Sequence, residues 1–202
     1  MAETETKPKR QRRQGPKRSD ASQAAILDAV REELAESGWR SFSVDNVARR
    51  AKASKQTIYR WWPSIGTLCL DAALSLLPGK PEGARDAAQR IAAIIAPIEA
   101  VARTGSGNYV LRAALLAASD DESAGDKWRG WLKSEVRTPL RMVLAELAAK
   151  QVIRRDWDIE DAMDSLLGPL WHRLLIMRAP IPEAYSLRQA EHLLAALSAG
   201  SS

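Results

Sequence analysis

The stretch Ser54-Lys55-Gln56-Thr57 sets four polar side chains in a row, followed by Ile58 and then Tyr59-Arg60-Trp61. These residue types suit base-pair edges and the phosphates beside them. A lysine donates to guanine acceptors, a glutamine pairs with adenine, and a threonine reaches a thymine methyl or a phosphate. The phenol, guanidinium and indole N–H that follow are donors suited to a phosphate backbone. Such chemistry needs a rigid carrier that fits a major groove, and one exposed helix meets that need. The plain alternative for the same residues is an exposed amphipathic helix with no ligand.

The flanking sequence supplies a carrier. Ser54 is placed to cap a short helix over roughly 55–61, with Ile58 turned inward. Ser43 caps an earlier short helix, roughly 44–51, with Asp45 in the first turn where the helix dipole favours an acid. Val47, Ala48 and Ala51 form its apolar side, and Lys52-Ala53 makes a tight turn between the two. Upstream, Ile26, Leu27, Val30 and Leu34 recur at three- and four-residue spacing, which predicts a helix from about Asp20. Ser19 or Asp20 caps it, and Gly38 ends it in a left-handed turn. Trp39 and Phe42 are core anchors. Pro63-Ser64 closes the second short helix, and Ser64 caps a fourth running to about Leu77. Pro78-Gly79-Lys80-Pro81 is a break.

Beyond it, alanine- and leucine-rich periodicity predicts helices at roughly 84–103, 108–119, 123–150, 158–179 and 183–199. Pro139 and Gly168-Pro169 are expected to kink the third and fourth of these. No strand alternation and no internal repeat is visible. The fold class is therefore all-α, with about nine helices. The expected division is an arm at 1–18, a helix-turn-helix unit at 19–65 and a larger helical domain at 66–202.

The run from Ser43 to Leu68, with Thr57-Ile58-Tyr59 and the pair Trp61-Trp62 inside it, resembles the DNA-binding signature of the tetracycline-repressor (TetR) family. Gly38-Trp39-Arg40-Ser41-Phe42 resembles that family's link between its first two helices. The likeness covers about residues 20–70. It implies a sequence-specific transcriptional regulator, by type a ligand-responsive repressor, that reads a palindromic DNA operator as a homodimer. Thr57 and Tyr59 match the family's DNA-contacting threonine and tyrosine. Lys55 and Gln56 match its variable base-reading positions, and Ser43 its capping, phosphate-touching hydroxyl. Trp61 stands where the family often has histidine or tyrosine, and Trp62 where it has a core phenylalanine. Two positions depart from the pattern. Lys52 replaces the usual turn glycine, and Ile65 replaces a phosphate-contacting lysine.

The segment 158–175 resembles the start of the family's eighth helix. That implies dimerisation through the last two helices, on apolar faces at 166–177 and at Leu187, Leu193, Leu194 and Leu197. Ordinary intrachain packing is the alternative. The family's helical C-terminal domain surrounds a small-molecule cavity, so the resemblance implies a pocket for an unidentified effector. Its candidates are Tyr109, Trp128, Trp131, Met142, Trp171 and His172, each of which is equally a plain core residue.

Charge agrees with a nucleic-acid partner. The 202-residue chain nets +5. Its first eighteen residues hold seven basic groups, Arg12, Arg13, Lys17 and Arg18 among them, against two acids. The rest is balanced, so the surplus is a polycationic arm suited to a polyanion. That arm lacks apolar periodicity and is expected to be disordered alone, then to lie along DNA beside the recognition helix. A solvated tail is the alternative. The single cysteine, Cys69, excludes an intrachain disulfide, and two histidines cannot complete a zinc site with it. No secretory signal and no membrane span is visible, so a cytoplasmic location is expected. No cofactor is implied. A helical enzyme is disfavoured because no nucleophile–base set, metal-ligand cluster or phosphate-cradling glycine loop is present. A non-specific DNA binder working through the arm alone remains a rival.

Overall fold

The computed structural model describes residues 16–198, with side chains from Asp20 onward. Nine helices and no strand run through the described residues. The first four are α1 (Pro16–Ser37), α2 (Val44–Arg50), α3 (Lys55–Trp61) and α4 (Ile65–Leu74), with a 3-10 turn at Trp39–Ser41 between α1 and α2. Next come α5 (Ala87–Ala102) and α6 (Gly105–Asp120). Helix α7 spans 122–149 as Glu122–Leu132, a π-helical stretch at Lys133–Arg137, and Thr138–Ala149. Helix α8 spans 159–177 as Ile159–Trp171 and a π-helical end at His172–Met177, and α9 is Tyr185–Ser198. No helix among the described residues is long and apolar enough to cross a membrane.

The apolar stripe of α1 is buried as its spacing requires. Ile26, Val30 and Leu34 are inaccessible to solvent, joined by Val47 of α2, Ile58 of α3 and most of α4. Each such side chain stabilises the fold by roughly 1.5–3 kcal/mol. The same core takes in Val110, Ala113, Ala114 and Ala117 of α6. A second core joins α5, α7, α8 and α9, and a third gathers the ends of α5 and α8 around Ile181 and Tyr185.

Three expectations need correction. Helix α1 already includes Pro16–Ser19, which the periodicity assigns to the arm and the cap. Proline fits a first helical turn because its missing N–H would lack an intrahelical partner there anyway. Lys17 and Arg18 thus stand on helical backbone, while Arg12 and Arg13 lie outside the described residues. Gly38 has φ 69 and ψ 176, so it does not take the left-handed helical turn but an extended, positive-φ conformation open essentially to glycine alone. Helix α4 stops at Leu74, because Ser75 turns its hydroxyl back on the Ala72 carbonyl at 2.8 Å. At Pro139 the hydrogen bonding of α7 changes. The turn before it widens, with the Thr138 N–H bonding the Lys133 carbonyl five residues back. This moves the preceding turn's carbonyls away from the proline ring. Helix α8 is continuous through Gly168-Pro169, both exposed, and widens at its end.

Lys52 resolves the departure at the helix-turn-helix turn. Its φ is +50, the left-handed conformation a glycine would take. The Ala53 N–H bonds the Ala48 carbonyl (2.9 Å) and the Lys52 N–H bonds the Arg49 carbonyl (3.3 Å), which together close a Schellman motif. A Cβ in this conformation costs about 1–2 kcal/mol, while glycine adds about 0.5–1 kcal/mol of unfolded-state entropy. Lys52→Gly should therefore stabilise the chain by about 0.5–1 kcal/mol, read as a raised urea midpoint with an unchanged slope.

Candidate nucleic-acid interface

The two helices of the reading unit are fixed by capping. The Ser43 hydroxyl accepts the Asn46 N–H at 3.4 Å, and the Ser54 hydroxyl accepts the Thr57 N–H at 3.1 Å. Ser54 Oγ also lies 2.9 Å from Thr57 Oγ1. One face of α3 buries Ile58 and leaves Lys55, Gln56, Tyr59 and Arg60 exposed, Tyr59 by 46%. Thr57 and Trp61 are half-buried at its edges. The Arg60 guanidinium sits 5.5 Å from the Trp61 ring centre, a cation–π contact that orients both.

Lys55 does not point free into solvent. Its Nζ is 2.5 Å from Asp45 Oδ1 on α2, and that hydrogen bond raises the lysine's pKa. Asp45 thus does more than complement the dipole of α2. It bridges the two helices of the motif and holds the first residue of the recognition helix.

Beneath this face lies a buried polar knot. Glu33 of α1 is 0% exposed, on the apolar face beside Leu34. It accepts the Asn46 Nδ2 bond at 2.8 Å and lies 3.5 Å from Arg50 Nε. Arg50 also donates through Nη1 to Glu36 at 3.0 Å. Glu33 Oε2 and Arg50 Nε are shielded from water without a hydrogen bond, so charge alone joins them, and removing one member of such a buried pair costs about 3–5 kcal/mol. Glu33 interrupting an apolar stripe is the one sequence signal that pointed here.

The head joins the rest of the molecule through α4. Trp62 is buried, and its indole N–H donates to Asp71 at 2.8 Å. Asp71 is also paired with Lys127 of α7. At the other end of α4, Ser64 Oγ lies 3.3 Å from Ser123 Oγ, which donates to Asp121 at 2.6 Å. Gly66 is pressed against Asp121 so closely that a Cβ there would come within 2.8 Å of it. Ile65, at the position of the family's lysine, packs partly buried against the first core. Cys69 is fully buried, and burial pushes its thiol up to about 12, in keeping with a core role.

The C-terminal aromatic candidates divide. Trp128 stacks on Trp131 at 5.1 Å with planes 8° apart, and Trp171 meets Trp128 edge-on at 5.9 Å. Trp131 also faces a cavity of about 350 Å³ bounded by Leu74, Leu77, Ile94, Pro97 and Glu135. The other three do not join them. Met142 is 69% exposed on the face of α7 opposite Leu140 and Leu144, and His172 is exposed opposite Leu170 and Leu174. Tyr109 is 55% exposed and borders a different cleft. Leu193 and Leu197, expected on a dimer face, are buried in the chain's own second core, with Leu187 and Leu194 packed against it.

Hydrogen bonds from Ser123, Ser64 and the Ala124 N–H hold the Asp121 carboxyl down to about 2. A depressed acid stabilises the fold above its unfolded value, here 3.8, and loses that contribution as pH falls through its folded value. Asp121→Ala should therefore be less stable than the parent above pH about 4, with the gap closing toward pH about 2. Urea midpoints across that range measure it.

With the geometry in hand, the comparisons with known proteins agree. The family model "Bacterial regulatory proteins, tetR family" matches residues 26–77, and "Tetracyclin repressor-like, C-terminal domain" matches residues 83–193. The chain is 29% identical over 177 residues to the HTH-type transcriptional regulator YdeS of Bacillus subtilis (strain 168), covering 87% of this chain and 89% of that one. The solved TetR family transcription regulator SCO0332 is 30% identical, with a TM-score of 0.58 over 86% of this chain and 96% of that one. GusR of Salmonella enterica shares the fold at 18% identity, with a TM-score of 0.62 over 87% of this chain and 95% of that one. The capped pair α2–α3, its exposed polar face and the matches over both halves together place this chain in the TetR family of bacterial regulatory proteins, as a DNA-binding transcriptional regulator of the helix-turn-helix type.

Proposed function

We propose that the chain is a ligand-responsive repressor that binds a palindromic operator as a homodimer, with α3 of each copy in one major groove. The observation that carries this reading is the exposed face of α3, where Lys55, Gln56, Tyr59 and Arg60 stand free of the core that holds Ile58. Ser54 and Thr57 begin that helix, and Ser43 begins α2 beside it. Trp61 flanks the face toward the phosphates. The basic residues Arg12, Arg13, Lys17 and Arg18 add sequence-independent affinity, because each phosphate they neutralise releases counterions. In this reading residues 19–65 form the DNA-reading unit and residues 66–202 the regulatory and dimerisation unit, and the protein works in the cytoplasm without catalysing a reaction.

Two heads about one helical turn apart, roughly 34–36 Å, require a symmetric dimer. Helices α8 and α9 supply its surface. Gly168, His172 and Ile176 recur every four residues on the exposed side of α8, and His192 and Ala196 do so on α9. Ile176 is 71% exposed, which a monomer gains nothing from. The effector enters the cavity beside Trp131, whose wall includes Leu74 at the end of α4. It acts by binding one head spacing better than the other.

Selection of bound sequences from a random DNA pool should return one palindrome of two half-sites. Thr57→Ala and Tyr59→Ala should each lose specific binding at least tenfold while keeping the parent's thermal midpoint. An absence of any enriched motif, with affinity that only falls as salt rises, would leave the arm as the sole DNA contact. Ile176→Glu should sediment as a monomer and bind a single half-site only weakly.

A further inference from the structure

Where α5 turns into α6, and where α8 gives way to the loop before α9, the surface folds in to form a cleft of about 460 Å³. Arg103, Arg112 and Arg178 face it, together with Thr104, Asn108 and Tyr109, and no acidic side chain borders it. Like charges gathered this way repel one another, so the fold holds them together at a cost. Arg112 is half-buried on α6, and its Nε is shielded from water with no hydrogen-bond acceptor. Native structures leave few buried donors in that condition, and each one asks for a partner.

Arg103 already has an ion-pair partner, whereas Arg112 and Arg178 have none among the described residues. That partner is Glu99, 3.9 Å from Arg103 Nη1, whose oxygens also accept the Tyr185 and Ser186 N–H groups at 3.2 and 2.7 Å. The loop is held in place independently. Arg173 donates to the Pro180 carbonyl through Nη2 at 3.1 Å, and Arg178 takes a left-handed φ of 49 as α8 ends. The cleft is thus preorganised, open and positively charged, with an exposed phenol at its rim.

We propose that this cleft binds a small organic phosphate. Guanidinium groups match the paired oxygens of such a group better than any other side chain. The start of the 16-residue α6 lies at the same place, where peptide dipoles also favour an anion. Tyr109 offers its ring to the organic part. The site is distinct from the cavity beside Trp131, with which it shares no lining residue.

The test is isothermal titration of the full-length protein with phenyl phosphate, inorganic phosphate and succinate, each against chloride at matched ionic strength. Phenyl phosphate should bind once per chain. Arg112→Gln and Arg178→Gln should each weaken it at least tenfold, and Tyr109→Ala should weaken it more than it weakens inorganic phosphate. Arg178 is exposed at a helix end, so its variant keeps the fold, as a melting curve verifies. Binding no tighter than chloride would overturn the proposal. So would binding that Arg178→Gln leaves intact, since the phosphate then sits on the basic arm or the DNA-reading face. Tighter binding of succinate than of phenyl phosphate would overturn the phosphate assignment.

Discussion

The rest of the structure depends on the burial of α4. A helix of ten residues with Gly66, Thr67, Leu68, Cys69, Leu70, Ala72 and Ala73 all out of solvent has no free face. It packs on α1 to complete the core of the head, and on α6 and α7 to fasten that head to the remaining helices. Interiors packed to crystal density do not deform smoothly. Any shift of α6 or α7 must therefore move α4 as a body, and α4 carries Trp62, Asp71 and the end of α3 with it. The contacts at its two ends are polar and specific, Ser64 and Gly66 on the α6–α7 junction and Asp71 on Lys127. The position of the head is thus set at two points, enough to fix an orientation about the helix axis as well as a distance.

The polar knot under the reading face performs the matching task inside the head. Hydrophobic packing alone would let α2 slide along α1, because apolar contacts carry little directional preference. Glu33, Asn46 and Arg50 remove that freedom. A buried carboxylate must keep its partners, so only one register of α2 satisfies it. The turn at Lys52 then launches α3 from a fixed point, with Ser54 capping its first turn.

Much of this was legible in the residues. The caps Ser43, Ser54 and Ser64, the apolar stripe of α1 and the breaks between helices follow local rules, and local rules survive folding. What was missed depended on partners distant in sequence. Lys55 reads as a free cation until α2 brings Asp45 against it. Leu193 and Leu197 read as a surface for a second copy until α5 and α8 cover them. Met142 and His172 illustrate a phase problem. A helical repeat shows that one face is apolar, but a long aromatic or sulfur side chain does not reveal which side of that face it occupies. Helix α1 extends into the basic segment because proline at a helix start breaks nothing, and only the absence of apolar periodicity had suggested otherwise.

If Lys55 reads base edges as proposed, its pairing with Asp45 bears on how the head meets the wrong DNA. An unpaired lysine would be drawn to any phosphate and would reward every sequence alike. Parked on a carboxylate, it presents a nearly neutral pair. To release it, a base edge must offer acceptors good enough to replace Asp45, and it must do so where the carboxylate left behind meets no phosphate. A mismatched site gives the lysine no reason to leave, and the aspartate stays close to the groove as a mild repellent. In that reading the same two charges act as a toll on non-cognate contacts, and selectivity comes from an exchange of partners instead of from attraction alone.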